Sequence, residues 1–169
     1  MTRTSRSTST APQSGSATRP NEVLVDGGWG ECLADGGGGT AHVGPWSVRA
    51  SPAERKRASL EVYEFGELLD VMVASALGDH QVLRGARCRV GTDGPTGFAW
   101  GRLPIDGSLP EITFTNGGLL GRSHRPARVV QLADAFWLAW ADGPPCGSVQ
   151  VRVPHDDSLS ARMRAGRTS

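Results

Sequence analysis

Lysine is nearly missing from this chain: of 18 basic residues only Lys56 is a lysine, and the rest are arginines. Together with the alanine, glycine and valine content, that bias points to a GC-rich bacterial coding sequence and says nothing of mechanism. Cysteine is sparse as well. Cys32, Cys88 and Cys146 make an odd, widely spaced set of 3. The even, dense set of a small disulfide-stapled secreted domain is a different pattern, so the expectation is reduced, partly buried thiols. Long apolar runs are absent. The longest, Ala135 to Ala141, has 7 residues, far below the roughly 20 that a membrane helix needs. Met1-Thr2-Arg3-Thr4-Ser5-Arg6 leads into no apolar core of a secretory signal, so the expected location is the cytoplasm.

The signatures of common chemistries are missing too. The Gly36 to Gly39 run is followed by Thr40 and Ala41 with no lysine, which excludes a phosphate loop of the usual form. No Gly-x-Gly-x-x-Gly joins a strand to a helix, and no Gly-x-Ser-x-Gly elbow occurs. His42, His80, His124 and His155 are scattered, with no histidine or cysteine within four residues of another. Zinc sites are built from close pairs, so neither a metal nor a cofactor is expected.

What the chain does have is layout. Residues 1–20 hold Ser, Thr, Ala, Arg, Pro, Gln and Gly, with no large aliphatic side chain after Met1; such a segment cannot offset its ordering entropy by burial and reads as a disordered basic tail. Residues 158–169 carry three arginines and no acid, and read as a second basic tail. Between them, 21–157 has 12 basic and 17 acidic residues, a mildly acidic single domain. Three charges per tail are few for nucleic-acid binding.

Within the domain, Ser51-Pro52-Ala53-Glu54 has the form of a capping box with proline at the first helical position. Apolar residues follow at Ala58, Val62, Phe65, Leu69, Met72 and Ala76, the spacing of one helix face. Glu61, Glu64, Glu67 and Asp70 mark the opposite, acidic face. The spacing predicts a main helix over about 52–77, with Gly66 its weak point at about 1 kcal/mol relative to alanine. Strand-like alternation then takes over at Ala86, Cys88 and Val90, at Phe98 and Trp100, at Ile112 and Phe114, and at Val149, Val151 and Val153. Residues 127–141 fit either a hairpin or a helix. As a hairpin they put Phe136, Leu138 and Trp140 on one face and Trp137 on the other, and aromatic content favours that choice. The predicted fold is therefore α+β: one helix packed on an antiparallel sheet of five to seven strands.

Function is read from the same features. The leading expectation is a non-enzymatic protein-interaction module of adaptor, immunity or regulatory type in a bacterial cytoplasm. Its ligand is a protein partner or another copy of itself, with no role for a membrane. Glu61, Glu64, Glu67 and Asp70 would dock a basic partner, with Trp46 as an exposed aromatic anchor beside Pro45. The alternative is a small-molecule binder or enzyme that uses the glycine-rich 26–42 segment as a flap, with Trp29, Glu31, Asp35 and His42 as contacts. A third reading, a nucleic-acid accessory protein, rests on Arg84, Arg87 and Arg89 beside Trp100, and the acidity of the domain disfavours it.

Overall fold

Period-two alternation, carried on paired strands, organises the whole of the described chain. In a computed structural model the described residues are 39–53, 57–75, 81–91, 94–118, 121–143 and 147–168. They form thirteen strands in three sheets. Sheet I contains β1 (Gly39–Val43), β2 (Trp46–Ser51), β3 (Ser59–Glu64) and β4 (Glu67–Val73), in that order. Sheet II contains β5 (Leu83–Gly91), β6 (Gly94–Arg102), β9 (Arg128–Leu132), β10 (Phe136–Asp142) and β13 (Gly166–Thr168), ordered β13-β5-β6-β10-β9. Sheet III contains β7 (Glu111–Gly118), β8 (Gly121–Pro126), β11 (Ser148–Val153) and β12 (Asp156–Arg164), ordered β12-β11-β7-β8. All pairings are antiparallel except that of β13 with β5.

Sheet II lies between the other two. One core joins Trp46, Val48, Leu60, Val62 and Met72 of sheet I to Phe98, Trp100, Phe136, Leu138 and Trp140 of sheet II. The other joins Ala86, Cys88, Ala99, Trp137 and Ala139 of sheet II to Ile112, Phe114, Val149, Val151 and Val153 of sheet III. A strand covered on both faces can be apolar at every position. That accounts for the apolar run of β10: Phe136 through Ala141 are all buried. The hairpin reading of 127–141 holds, including the division of Phe136, Leu138 and Trp140 from Trp137. Its turn uses Ala133 and Asp134 at φ 47° and 51°, a left-handed pair that is uncommon for such residues and is held by burial of Leu132 and Phe136 on either side.

The predicted α+β fold is overturned, because no helix occurs among the described residues. The described residues of the 52–77 segment instead follow the end of β2 and form the β3–β4 hairpin. Phe65 and Gly66, at φ 52° and 82°, form its two-residue turn, the left-handed geometry that matches strand twist. Two features counterfeited a helix. Ala58, Leu60 and Val62 face inward at period two, and skipping Leu60 leaves a step of four. In β4 the register shifts so that Val62 faces Asp70 while Tyr63 faces Leu68; this bulge leaves Leu69 unpaired and makes a step of three to Met72. Residues 158–168, expected as a tail, form most of β12 and all of β13. Their signal was the alternation of Ala161, Met163 and Ala165, packed in the sheet II–III core, with outward Arg162 and Arg164.

Trp46 is also corrected. It is 0% exposed and stacks on Phe98, centroids 5.3 Å apart, so it anchors the core and no partner. Cys88, 1% exposed, is disulfide-bonded, against the expectation of reduced thiols. Wide spacing in sequence does not keep cysteines apart in a fold made of long-range strand pairs. Cys32 and Cys146 lie outside the described residues.

Two outcomes test this architecture. A Cβ on Gly101 would sit 1.8 Å from the Val82 carbonyl oxygen and 2.6 Å from the Trp137 ring. Gly101→Ala is therefore expected to cost about 3 kcal/mol in urea unfolding, at the top of the usual overpacking range; a neutral effect would show that β6 does not run this close to Trp137. Reduction of the disulfide is expected to lower unfolding free energy by about 2–4 kcal/mol. In denaturant without reductant the chain should take up one iodoacetamide, and with reductant one on each of its 3 cysteines.

Candidate functional site

The β3–β4 hairpin carries all four of the acids singled out in the sequence, but splits them between its two faces. Glu61 is on the outer face of sheet I. It accepts a 2.6 Å hydrogen bond from the Tyr63 hydroxyl and lies 4.0 Å from Arg49 across the β2–β3 pair. The bond to Glu61, ahead of desolvation, raises the Tyr63 pKa above that of a free phenol. Glu64 and Glu67 face each other beside the turn, and Glu64 accepts 2.7 Å from the Trp46 indole N–H. Asp70 is on the inner face, opposite Val62. No single acidic surface exists.

Asp70 is the most heavily bonded of them. Arg84 Nε donates to Oδ2 at 3.0 Å and Arg84 Nη2 to Oδ1 at 3.3 Å. The Trp100 indole N–H donates to Oδ2 at 3.0 Å and the Val71 amide to Oδ1 at 2.9 Å. Partial burial alone would raise its pKa, but the bonds from Arg84 and Trp100, the Arg84 charge and the Val71 amide outweigh it and hold the carboxyl below the usual aspartate value. A carboxylate so engaged is a fastener between sheets I and II and a poor proton acceptor.

The arginines proposed for nucleic-acid contact have the same fate. On β5, Gly85 lies against the Trp100 ring, and Arg87 and Arg89 follow at the same parity, toward sheet I. Arg89 sits 5.5 Å from the Phe65 ring centroid. Arg84, Arg87 and Arg89 therefore line one side of the seam between sheets I and II, with Glu64, Glu67 and Asp70 on the other. Of the acids and arginines read from the sequence, Asp70 and Arg84 pair directly across this seam.

Beside this joint is a cleft of about 140 Å³, lined by Val71, Met72, Val73, Gln81, Arg84 and Arg102. Binding pockets for drug-sized molecules run to about 300–1,000 Å³, so this cleft holds a group of side-chain size. It follows the edge of β4, which among the described residues pairs only with β3. The edge is covered by side chains: Asp70 takes the Val71 amide and Arg102 Nη2 donates to the Val73 carbonyl. Around the corner, on the outer face, Leu68, Val71 and Val73 are 57%, 45% and 45% exposed. They lie opposite Tyr63, Glu61 and Ser59, which makes an apolar strip bordered by polar groups.

Of these cleft and strip residues the sequence singled out Arg84 and, at the border, Glu61 as site candidates, and Met72 only as part of an apolar face; a helix assignment hides which β4 side chains point outward. His42 is exposed on β1, opposite Ser47, away from the cleft. Trp29, Glu31 and Asp35 lie outside the described residues, and with them most of the 26–42 flap. Among the described residues no three His, Cys, Asp or Glu side chains stand close enough to hold a metal ion, and no helix is long and apolar enough to cross a membrane. No protein-family model, curated protein or solved structure matches the chain.

Asp70→Asn should lose the Arg84 pair while leaving the indole N–H a weaker acceptor. A cost toward the lower end of about 1–3 kcal/mol is expected at neutral pH, because Arg84 is 45% exposed and solvent screens the pair. The sign with pH follows from the lowered pKa. Stability from Asp70 is complete above the unfolded value near about pH 4 and lost as pH falls through the folded value. The variant should therefore show a shallower acid limb below about pH 4 in urea titrations; an unchanged limb would deny Asp70 its role.

Proposed function

We propose that this protein is an interaction module that docks a polypeptide partner on the outer face of sheet I, along β4. One observation carries the reading: Leu68, Val71 and Val73 occupy the outward positions of one edge strand at 45–57% exposure, and neither core includes them. Contiguous exposed apolar residues with a polar border have the anatomy of a docking surface. Tyr63, Glu61 and Arg49 supply the border. Asp70 and Arg102 already occupy the Val71 amide and the Val73 carbonyl of β4, which favours a partner that engages side chains over one that adds a strand.

The docking residues thus differ from those expected. Glu61 keeps a place at the rim; Glu64 and Asp70 serve the joint between sheets. Location is also revised within this proposal. A disulfide at Cys88 supports maturation where thiols oxidise, outside a reducing cytoplasm.

Site-specific photo-crosslinking in cells that make the protein tests the docking face. A benzoylphenylalanine at Leu68 is expected to give a discrete higher-mass adduct, and one at outward Ser160 on β12 none. If the two positions give the same pattern, β4 is not the docking surface.

A further inference from the structure

We infer that the cleft at the β4 edge is a carboxylate subsite: Arg102, held beside Val73 with Arg84 next to it, takes an acidic side chain of the docked partner. The inference rests on the docking reading above and adds the chemistry of the anchor. Charge comes first. Arg84 and Arg102 line the cleft, and the neighbouring carboxylate, Asp70, neutralises only one of them through its fork with Arg84. Among the described residues no carboxylate bonds to Arg102; its one hydrogen bond goes to the Val73 carbonyl. A guanidinium has five N–H donors in a plane, so most of the donors of Arg102 remain for a ligand. The carbonyl fixes the position of the group without lowering its charge. A carboxylate arriving there meets a pre-oriented cation and loses little further entropy in ordering it.

Size and surroundings select the ligand. A cleft of about 140 Å³, below the about 300–1,000 Å³ of pockets for drug-sized molecules, accepts a carboxylate and a short stem. Val71, Met72 and Val73 line one side of the cleft along β4, and Gln81 adds an amide. The same Val71 and Val73 belong to the outer apolar strip. A partner segment with apolar residues on β4 and a glutamate or aspartate beside them would satisfy both halves at once. Arg102 is half-buried, where a charge-assisted bond is screened less than at an open surface.

The probe is N-acetylglutamate amide, titrated at low salt into the full chain labelled with ¹⁵N, disulfide intact. The Nε–H signal of Arg102 and the backbone amide of Val73 are followed, with the exposed Arg128 as control. Saturable shifts at Arg102 and Val73, absent at Arg128, are expected. Arg102→Gln should weaken the Val73 response about tenfold, the effect of one charge-assisted hydrogen bond. Arg102→Lys, which keeps the charge and loses the planar fork, should fall between. Equal shifts at Arg128, or an Arg102→Gln protein that responds like the parent, would overturn the subsite. The titration needs no partner, so its failure leaves the Leu68 crosslink standing; failure of the crosslink alone would remove the docking reading and leave a carboxylate site without its partner.

Discussion

The pairing of β6 with β10 is the constraint on which the rest of this structure depends. Both strands have both faces covered, so every residue from Phe136 to Ala141 and from Phe98 to Gly101 must be apolar or small. The chain divides its bulk unevenly between the two sides. Phe98, Trp100, Phe136, Leu138 and Trp140 go to sheet I, whereas Ala99, Ala139 and Ala141 go to sheet III with Trp137 as the one large group. Valines and Ile112 from sheet III then meet a mostly flat alanine surface. Gly101 and Gly85 are small for the same reason, since each has an indole against its Cα.

Large indoles bring N–H groups into the interior, and each must find an acceptor. Trp137 uses the Val82 carbonyl at 3.0 Å, Trp46 uses Glu64 and Trp100 uses Asp70. Two of these three acceptors are carboxylates from the β3–β4 hairpin. Burial of sheet II thereby decides what the hairpin's inner rim must carry, and Arg84 follows because a part-buried Asp70 needs a counter-charge. Glu64 and Asp70, two of the four acids that read as a docking surface in sequence, serve instead as acceptors for tryptophan.

Much of the strand content was legible from alternation alone. β5, β6, β7, β11 and the two faces of β10 follow from period-two patterns at Ala86, Phe98, Ile112, Val149 and Phe136. Val90 is an exception, 73% exposed near the end of its strand. The β3–β4 hairpin was misread for a physical reason. Its turn has Phe65 where Asn or Gly would announce left-handed geometry, and the Leu69 bulge breaks alternation at the point where a second strand should declare itself. Trp46 beside Gly44 and Pro45 suggested an exposed anchor, although Trp46, Val48 and Ala50 alternate inward. The cleft was beyond sequence reading, because Arg102 and Val73 are 29 residues apart and meet only through the packing of sheet I on sheet II.

That packing also explains why the proposed surface is separable from the fold. Sheet I has one face in the core and one in solvent, and an antiparallel sheet in that position ordinarily alternates apolar-in with polar-out. β2 obeys, with Ser47, Arg49 and Ser51 outward. β3 obeys, with Ser59, Glu61 and Tyr63. β4 alone breaks the rule on its outer side, and it is an edge strand, where exposed apolar residues invite association. Two backbone groups of that edge are capped, the Val71 amide by Asp70 and the Val73 carbonyl by Arg102, while the side chains of Leu68, Val71 and Val73 stay about half exposed. Edge protection against unspecific pairing, combined with an uncovered apolar strip and a cation at its margin, is the combination a selective side-chain interface requires.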